Sequence, residues 1–121
     1  MMDSNRAGDI AEYAVIVWAW KQGYEVFPNA GCTGDVDLIL LKDGITILVD
    51  VKHATVRHGT WQTNVLSKQQ IEKDIQRILY FPDYDIVLFD PNIPRNSCTA
   101  LHRYLQNNLD IYPNIIERNP K

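Results

Sequence analysis

Asp37, Asp50 and Lys52 are the residues whose types and spacing could do chemistry together. The first stands in Gly34-Asp35-Val36-Asp37-Leu38-Ile39-Leu40 and the other two in Ile47-Leu48-Val49-Asp50-Val51-Lys52, with Asp43-Gly44 between the runs. Asp-Gly between apolar runs is the strongest short hairpin signal. With those two residues at the centre of the turn, Lys42 faces Ile45, Leu40 faces Ile47 and Leu38 faces Val49. The intervening pairs share the other face: Leu41 with Thr46, Ile39 with Leu48, Asp37 with Asp50, and Asp35 with Lys52. Carboxylates set opposite each other, with Cβ atoms roughly 5 Å apart, repel. Folding must then raise one carboxyl pKa or recruit a cation. Two acids and an ammonium on one patch suit a hard divalent metal bound through oxygen. Magnesium there would polarise a phosphodiester and acidify a bound water, while Lys52 orients that water or steadies developing charge. An isolated Asp-x-Lys more often marks an exposed strand end, and Asp35 and Asp37 could simply solvate a loop. That reading leaves unexplained why Asp50 interrupts an otherwise apolar strand. The pairing depends on the turn, because a one-residue slip moves a strand's side chains to the other face.

Glu12 precedes Val15, Ile16 and Ala19 at helical spacing, which puts a carboxylate on a mainly apolar stripe. Such a group needs a partner. The metal site would give one, directly or through water; an equal alternative is a side chain reaching solvent near the helix start, where the dipole favours acids. Gln70 stands three residues after Ser67, the spacing of a capping box, and that structural role suffices for it. From His53 to Ser67 the sequence holds His53, Arg57 and His58 and no acid, so this segment can contact phosphates. Trp61 within it reads as a core ring. Lys68, Lys73 and Arg77 extend the patch or, with Glu72 and Asp74 interleaved, form a solvated helix face.

These residues need elements to hold them. After a loose leader, Met1 to Gly8, a helix is predicted from Asp9, its N-cap, to Lys21, stopped by Gly23. Strands are predicted over Tyr24 to Phe27, Asp35 to Leu41, Ile45 to Val51 and Asp85 to Phe89. Val56 to Asn64 reads as polar and irregular. A second helix is predicted from Lys68 to Tyr80, capped by Ser67, with Ile71, Ile75, Ile78 and Leu79 as its apolar stripe and Pro82 beyond its end. A third, Thr99 to Leu109, comes after the loop Pro91 to Pro94, and Asp110 to Lys121 reads as an extended tail. The order α-β-β-β-α-β-α, with hairpin strands apolar on both sides, predicts an α/β fold with a mixed central sheet and helices on both faces. No linker or repeat divides the 121 residues, so 1–121 reads as one domain.

The order and spacing of these pieces resemble the PD-(D/E)XK nuclease superfamily, in its small homing-endonuclease and Holliday-junction-resolvase-like branch. The matching stretch is Gly34 to Leu40, the Asp43-Gly44 turn, and Leu48-Val49-Asp50-Val51-Lys52. Gly8-Asp9-Ile10-Ala11-Glu12 supplies the acid of the preceding helix, and Gly23-Tyr24-Glu25-Val26-Phe27 is similar to the segment after that helix in small archaeal-type junction resolvases. Leu66-Ser67-Lys68-Gln69-Gln70 resembles the Gln-bearing helix, and Asp85 to Phe89 the later core strand. The chain departs in lacking Pro before the first acid and in having Asp rather than Glu in the second motif. Asp35 competes with Asp37 for the first metal-binding role; Asp37 is preferred because it directly precedes the apolar strand and faces Asp50. The resemblance implies a restriction-endonuclease-like αβββαβ core and hydrolysis of DNA phosphodiesters with one or two magnesium ions, or manganese in their place. Asp37 and Asp50 would hold metal with the Val51 carbonyl, Lys52 would activate the nucleophile, Glu12 would complete the shell and Gln70 would assist. His53, Arg57, His58 and Lys68 would contact DNA.

A net charge of −3 argues against a protein that coats nucleic acid nonspecifically, yet leaves room for a local basic patch. No apolar run approaches the roughly 20 residues that cross a bilayer, and Tyr13 to Trp20 lacks a signal peptide's basic flank and cleavage site. A cytoplasmic chain with no membrane partner is expected, with Cys32 and Cys98 as free thiols. The expected activity is a sequence-specific endonuclease of homing or restriction type. A Holliday junction resolvase is the alternative within the same chemistry, and a catalytically inactive nucleic-acid-binding module of the same fold is the alternative outside it. The second is disfavoured because binding alone does not call for adjacent acids that repel phosphate. No Gly-rich phosphate loop, nucleophile elbow or His pair points to a small-molecule enzyme. A nuclease this small needs two protomers to cut both strands, so a homodimer or higher homo-oligomer is expected, using Trp18, Trp20 or the third helix and tail.

Overall fold

The computed structural model describes residues 4–31, 34–57, 60–89 and 98–107. The first helix, α1 (Ser4–Lys21), buries Ala11, Val15 and Ala19 at a spacing of one turn. It begins before Asp9, which therefore lies inside the helix instead of capping it; a single Gly8 costs only about 1 kcal/mol and does not stop propagation. Gly23, at φ 91°, ends the helix, and the Tyr24 N–H bonds back to the Ala19 carbonyl at 2.9 Å. The strands β1 (Glu25–Pro28), β2 (Leu38–Lys42) and β3 (Ile45–His53) come next. Asp43 and Gly44, both at positive φ, make the tight turn that the sequence signals. The β2–β3 register runs from Lys42↔Ile45 to Leu38↔Val49, as the turn requires.

Val56 to Asn64 departs from the irregular segment expected. It contains a small hairpin, β4 (Thr55–Arg57) and β5 (Thr60–Gln62), with Val56 opposite Trp61. The larger correction concerns Lys68 to Tyr80, where a single helix is expected. The helix α2 covers only Lys68–Glu72, and β6 (Gln76–Phe81) takes the rest. The helix is closed by a Schellman arrangement around Asp74 at φ 57°: the Ile75 N–H reaches Gln70 O and the Asp74 N–H reaches Ile71 O, each at 3.0 Å. Asp in place of the usual Gly hides the stop. Arg77 to Phe81 are all buried, which is the pattern of a central strand covered on both faces. The spacing of Ile75, Ile78 and Leu79 is thus a coincidence of that continuous run. Strand β7 (Ile86–Leu88) and helix α3 (Cys98–Asn107) complete the described elements.

The main sheet has the order β1-β2-β3-β6-β7, with β3 and β6 parallel and the other pairs antiparallel. On one face Val15 and Ala19 of α1 pack on Leu38, Leu40, Val49 and Ile78. On the other, Leu105 of α3 packs with Ala54, Leu79, Phe81 and Leu88. The protein therefore has the mixed α/β sandwich read from the sequence. With the separate β4–β5 hairpin set aside, the order α1-β1-β2-β3-α2-β6 is αβββαβ, so its last strand is β6; β7, the segment matched to that strand, is the next one along.

Candidate active site

Because side chains alternate along β3, Val49 and Val51 face α1 while Leu48, Asp50 and Lys52 face the other side. Asp50 stands in the middle of the sheet, paired in register with Arg77 of β6, and is only 5% exposed. Its Oδ1 accepts a hydrogen bond from Gln70 Nε2 at 3.2 Å. Its Oδ2, which has no other donor among the described residues, forms an ion pair with Lys52 Nζ at 3.2 Å. Burial pushes the Asp50 carboxyl above its ordinary pKa; Lys52 is the strongest opposing influence, and Asp37 adds to the rise. The attraction to one half-exposed ammonium does not offset the lost hydration.

Asp37 lies just before β2, whose ladder stops at Leu38↔Val49. The expected cross-strand pairs of Asp37 with Asp50 and of Asp35 with Lys52 are therefore not formed. Instead the Asp37 backbone N–H bonds to Val49 O at 2.8 Å, and its carboxylate Oδ2 accepts from the Val51 N–H at 2.7 Å. The side chain thus takes the place of the next ladder bond. Asn29 holds the approach to it, donating its backbone N–H to Asp37 O at 3.0 Å and its amide to Val36 O at 2.9 Å. Asp35 turns away, its carboxylate 2.7 Å from Lys73 Nζ. Of the two competing acids, Asp37 is the one whose charge acts on Asp50.

Glu12, half-buried on the flank of the α1 stripe, has its pKa raised by burial first, then by Asp37, Asp9 and Asp50. Glu12 on α1, Asp37 just before β2 and Asp50 on β3 therefore repel one another. Gln70 is the N3 residue of the capping box expected at Ser67: its backbone N–H bonds to Ser67 Oγ at 3.1 Å and its Oε1 accepts from the Ser67 N–H at 2.9 Å. Its Nε2 reaches both Asp50 Oδ1 and, at 2.9 Å, Asp35 O. One side chain thus caps α2, ties down the Asp35 loop and orients Asp50.

Of the cations expected to meet DNA, His53 is exposed at the end of β3, its carbonyl accepting from Thr63 Oγ1 at 3.0 Å, and Lys68 is exposed at the start of α2. Arg57 lies on β4, while His58 falls outside the described residues. Arg77 is not on a solvated helix face. It is 5% exposed on β6 and donates to Asn64 O at 3.1 Å. The run of apolar residues after it is the signal that sequence offers for this placement. Trp18, one of the candidates for a dimer surface, packs against Tyr24 and Phe89.

Among the described residues no three His, Cys, Asp or Glu side chains form a ready cage for a metal. Asp37 and Asp50 offer carboxylate oxygens whose charges repel each other, which fits a hard cation that keeps most of its ligands as water, as magnesium does.

The fold and these residues define a class: a small α/β protein with three mutually repelling carboxylates, Glu12, Asp37 and Asp50, beside a mixed sheet. No protein-family model and no curated protein sequence matches the chain. Among solved structures it is similar to a bacterial homing endonuclease, I-Ssp6803I, with a TM-score of 0.59 and 18% identity over 98% of this chain and 95% of that one. The likeness establishes a shared fold over nearly the whole length of both.

Proposed function

We propose that this chain is a magnesium-dependent DNA endonuclease of the PD-(D/E)XK type that hydrolyses phosphodiester bonds at a defined sequence. The observation that carries the reading is Asp50: a buried acid in the middle of a sheet, ion-paired with Lys52 through one oxygen and repelled by Asp37. The named function of the similar structure supports it. Asp37 and Asp50 would hold the metal, with the Val51 carbonyl, and manganese would substitute. The bound cation supplies a polarised phosphate and an acidified water. Lys52 would offer its ammonium to orient a water nucleophile and to stabilise the charge that builds on the phosphate. Glu12, with its raised pKa, is suited to take up a proton or to hold a metal-bound water. Gln70 holds the Asp50 carboxylate in one orientation through its Oδ1. His53, Arg57, His58 and Lys68 would meet the DNA backbone.

Cleavage assays with magnesium, on a linear duplex library and on a four-way junction, test the reading and separate the sequence-specific form from the junction-resolving one. Lys52→Ala and Asp50→Asn should each lower the rate by at least 100-fold, a loss of about 2.7 kcal/mol in transition-state stabilisation. Undiminished cutting by either variant would remove that residue from the reaction. Binding without cutting by the parent chain would leave the inactive-module alternative.

A further inference from the structure

Arg77 opens the buried run of β6 and is itself only 5% exposed. A guanidinium in that position is costly unless its donors are engaged. In the β3–β6 ladder Arg77 stands in register with Asp50, and its neighbour Ile78 with Val51. Ile78 and Val51 belong to the core under α1, so Arg77 and Asp50 share the opposite face of the sheet. On that face the Arg77 guanidinium donates to Asn64 O at 3.1 Å. Thr63, the residue before, is buried and donates its hydroxyl to His53 O at 3.0 Å, one residue beyond Lys52. Two strands of the sheet therefore hold adjacent residues of one connector, the stretch from Thr63 to Ser67 that leads from β5 into α2.

That connector delivers Gln70. Ser67 closes the capping box with Gln70, and Gln70 Nε2 reaches Asp50 Oδ1 at 3.2 Å. Helix α2 has five residues, too few to hold its own place in water. Its C-terminal end is fixed by the entry into β6, and its N-terminal end, where Gln70 stands, by the connector. Asn64 is exposed, so without Arg77 its carbonyl can turn to water and the connector is released. An apolar side chain at 77 would fill the same place in the sheet, often with no loss of stability; what it lacks is the donor.

We infer that Arg77 is a positioning residue for the candidate active site: together with Thr63 it fixes the connector that sets Gln70 against Asp50. The consequence for metal binding rests on the endonuclease reading, in which Asp50 is a metal ligand. Loss of groups that orient a ligand from behind lowers metal affinity by about 10–100-fold.

Two measurements on the full chain test the inference. The first, without metal or DNA, follows the side-chain amide signal of Gln70 by NMR, assigned by its disappearance in Gln70→Ala. Arg77→Met keeps the stem and removes the donors, and should move this signal toward that of a free glutamine amide. Thr63→Val removes the other anchor and should move it the same way, which keeps the test if Arg77→Met does not fold. Arg77→Lys can still donate to a carbonyl and should hold the signal nearer the parent's. Phe81→Ala loosens the same strand where it packs against α3 and should leave the signal in place. A signal unmoved by loss of either anchor, or moved equally by Phe81→Ala, would overturn the inference.

The second measurement is calorimetric titration with magnesium. Arg77→Met and Gln70→Ala should each weaken binding about tenfold. The double variant should be no weaker than Gln70→Ala alone, because both changes act through one contact. Losses that multiply would show Arg77 acting by another route and would equally overturn the inference. A parent that binds no magnesium would sink the metal-dependent reading, while the Gln70 signal would still decide for or against Arg77.

Discussion

Replacing Asp50 with Asn should make the protein more stable and inactive at once. The Asn carbonyl can keep the Gln70 hydrogen bond that Asp50 Oδ1 now accepts at 3.2 Å, and the charge repelled by Asp37 disappears. Burial of the carboxylate is the main influence against its ionised form, and the Asp37 charge adds to it in the same direction. Lys52 loses a partner, but its side chain is 26% exposed and can turn to water. The expected gain is about 1 kcal/mol at pH 8, or roughly 3–6 °C in Tm for a domain of this size. The sign of the pH dependence comes from the raised pKa. The folded parent binds a proton at Asp50 more tightly than the unfolded chain does. Its deficit is therefore full above the folded pKa and vanishes below the unfolded value near pH 4. The two melting curves should converge as pH falls. Magnesium at ten times its Kd should stabilise the parent by about 1.4 kcal/mol and the Asn variant much less. Differential scanning calorimetry across pH, with and without magnesium, reads all of this. If Asp50 and Lys52 instead formed a net stabilising buried pair, breaking it would cost about 3–5 kcal/mol. A Tm fall of about 10 °C or more at pH 8, with no response of the parent to magnesium, would refute the reasoning.

Three further outcomes each rest on a single side chain. Gln70→Ala leaves the buried Asp50 Oδ1 without a donor and opens the cap of α2, so it should cost about 1–3 kcal/mol by urea unfolding and raise the Asp50 pKa further. Lys73→Ala breaks the exposed pair with Asp35 and should change stability by less than about 1 kcal/mol, with cleavage kept. Phe81→Ala empties a fully buried site between β6 and α3 and should cost about 3–5 kcal/mol by the same unfolding measurement; a smaller loss would mean that this face of the sheet is poorly packed.

The hairpin is legible in the sequence because Asp43-Gly44 leaves one register open, and every ladder pair from Lys42↔Ile45 to Leu38↔Val49 is set by it. The arrangement beyond the ladder is not. Alternation predicts that Asp37 continues the strand, whereas its carboxylate is short enough to accept the Val51 N–H and end the pairing. No pattern of apolar residues encodes that competition between side chain and backbone. The capping box at Ser67 and Gln70 is readable from spacing, but the second use of the same amide, on Asp50, joins residues 20 apart and depends on the tertiary fold. The single helix expected over Lys68 to Tyr80 fails at Asp74, where a left-handed residue other than Gly or Asn gives no warning. That error moves Arg77 from the centre of the sheet to a solvent-facing helix.

The Gln70 side chain answers to three neighbours, and this limits how the protein can change. A replacement that suits the Ser67 turn but not Asp50 disturbs the cleft, and one that suits Asp50 but not Ser67 frays a helix of a single turn. Tuning of reactivity by substitution at this position is therefore coupled to folding. Adaptation to a new substrate is expected to touch the exposed cations around the cleft long before it touches this amide.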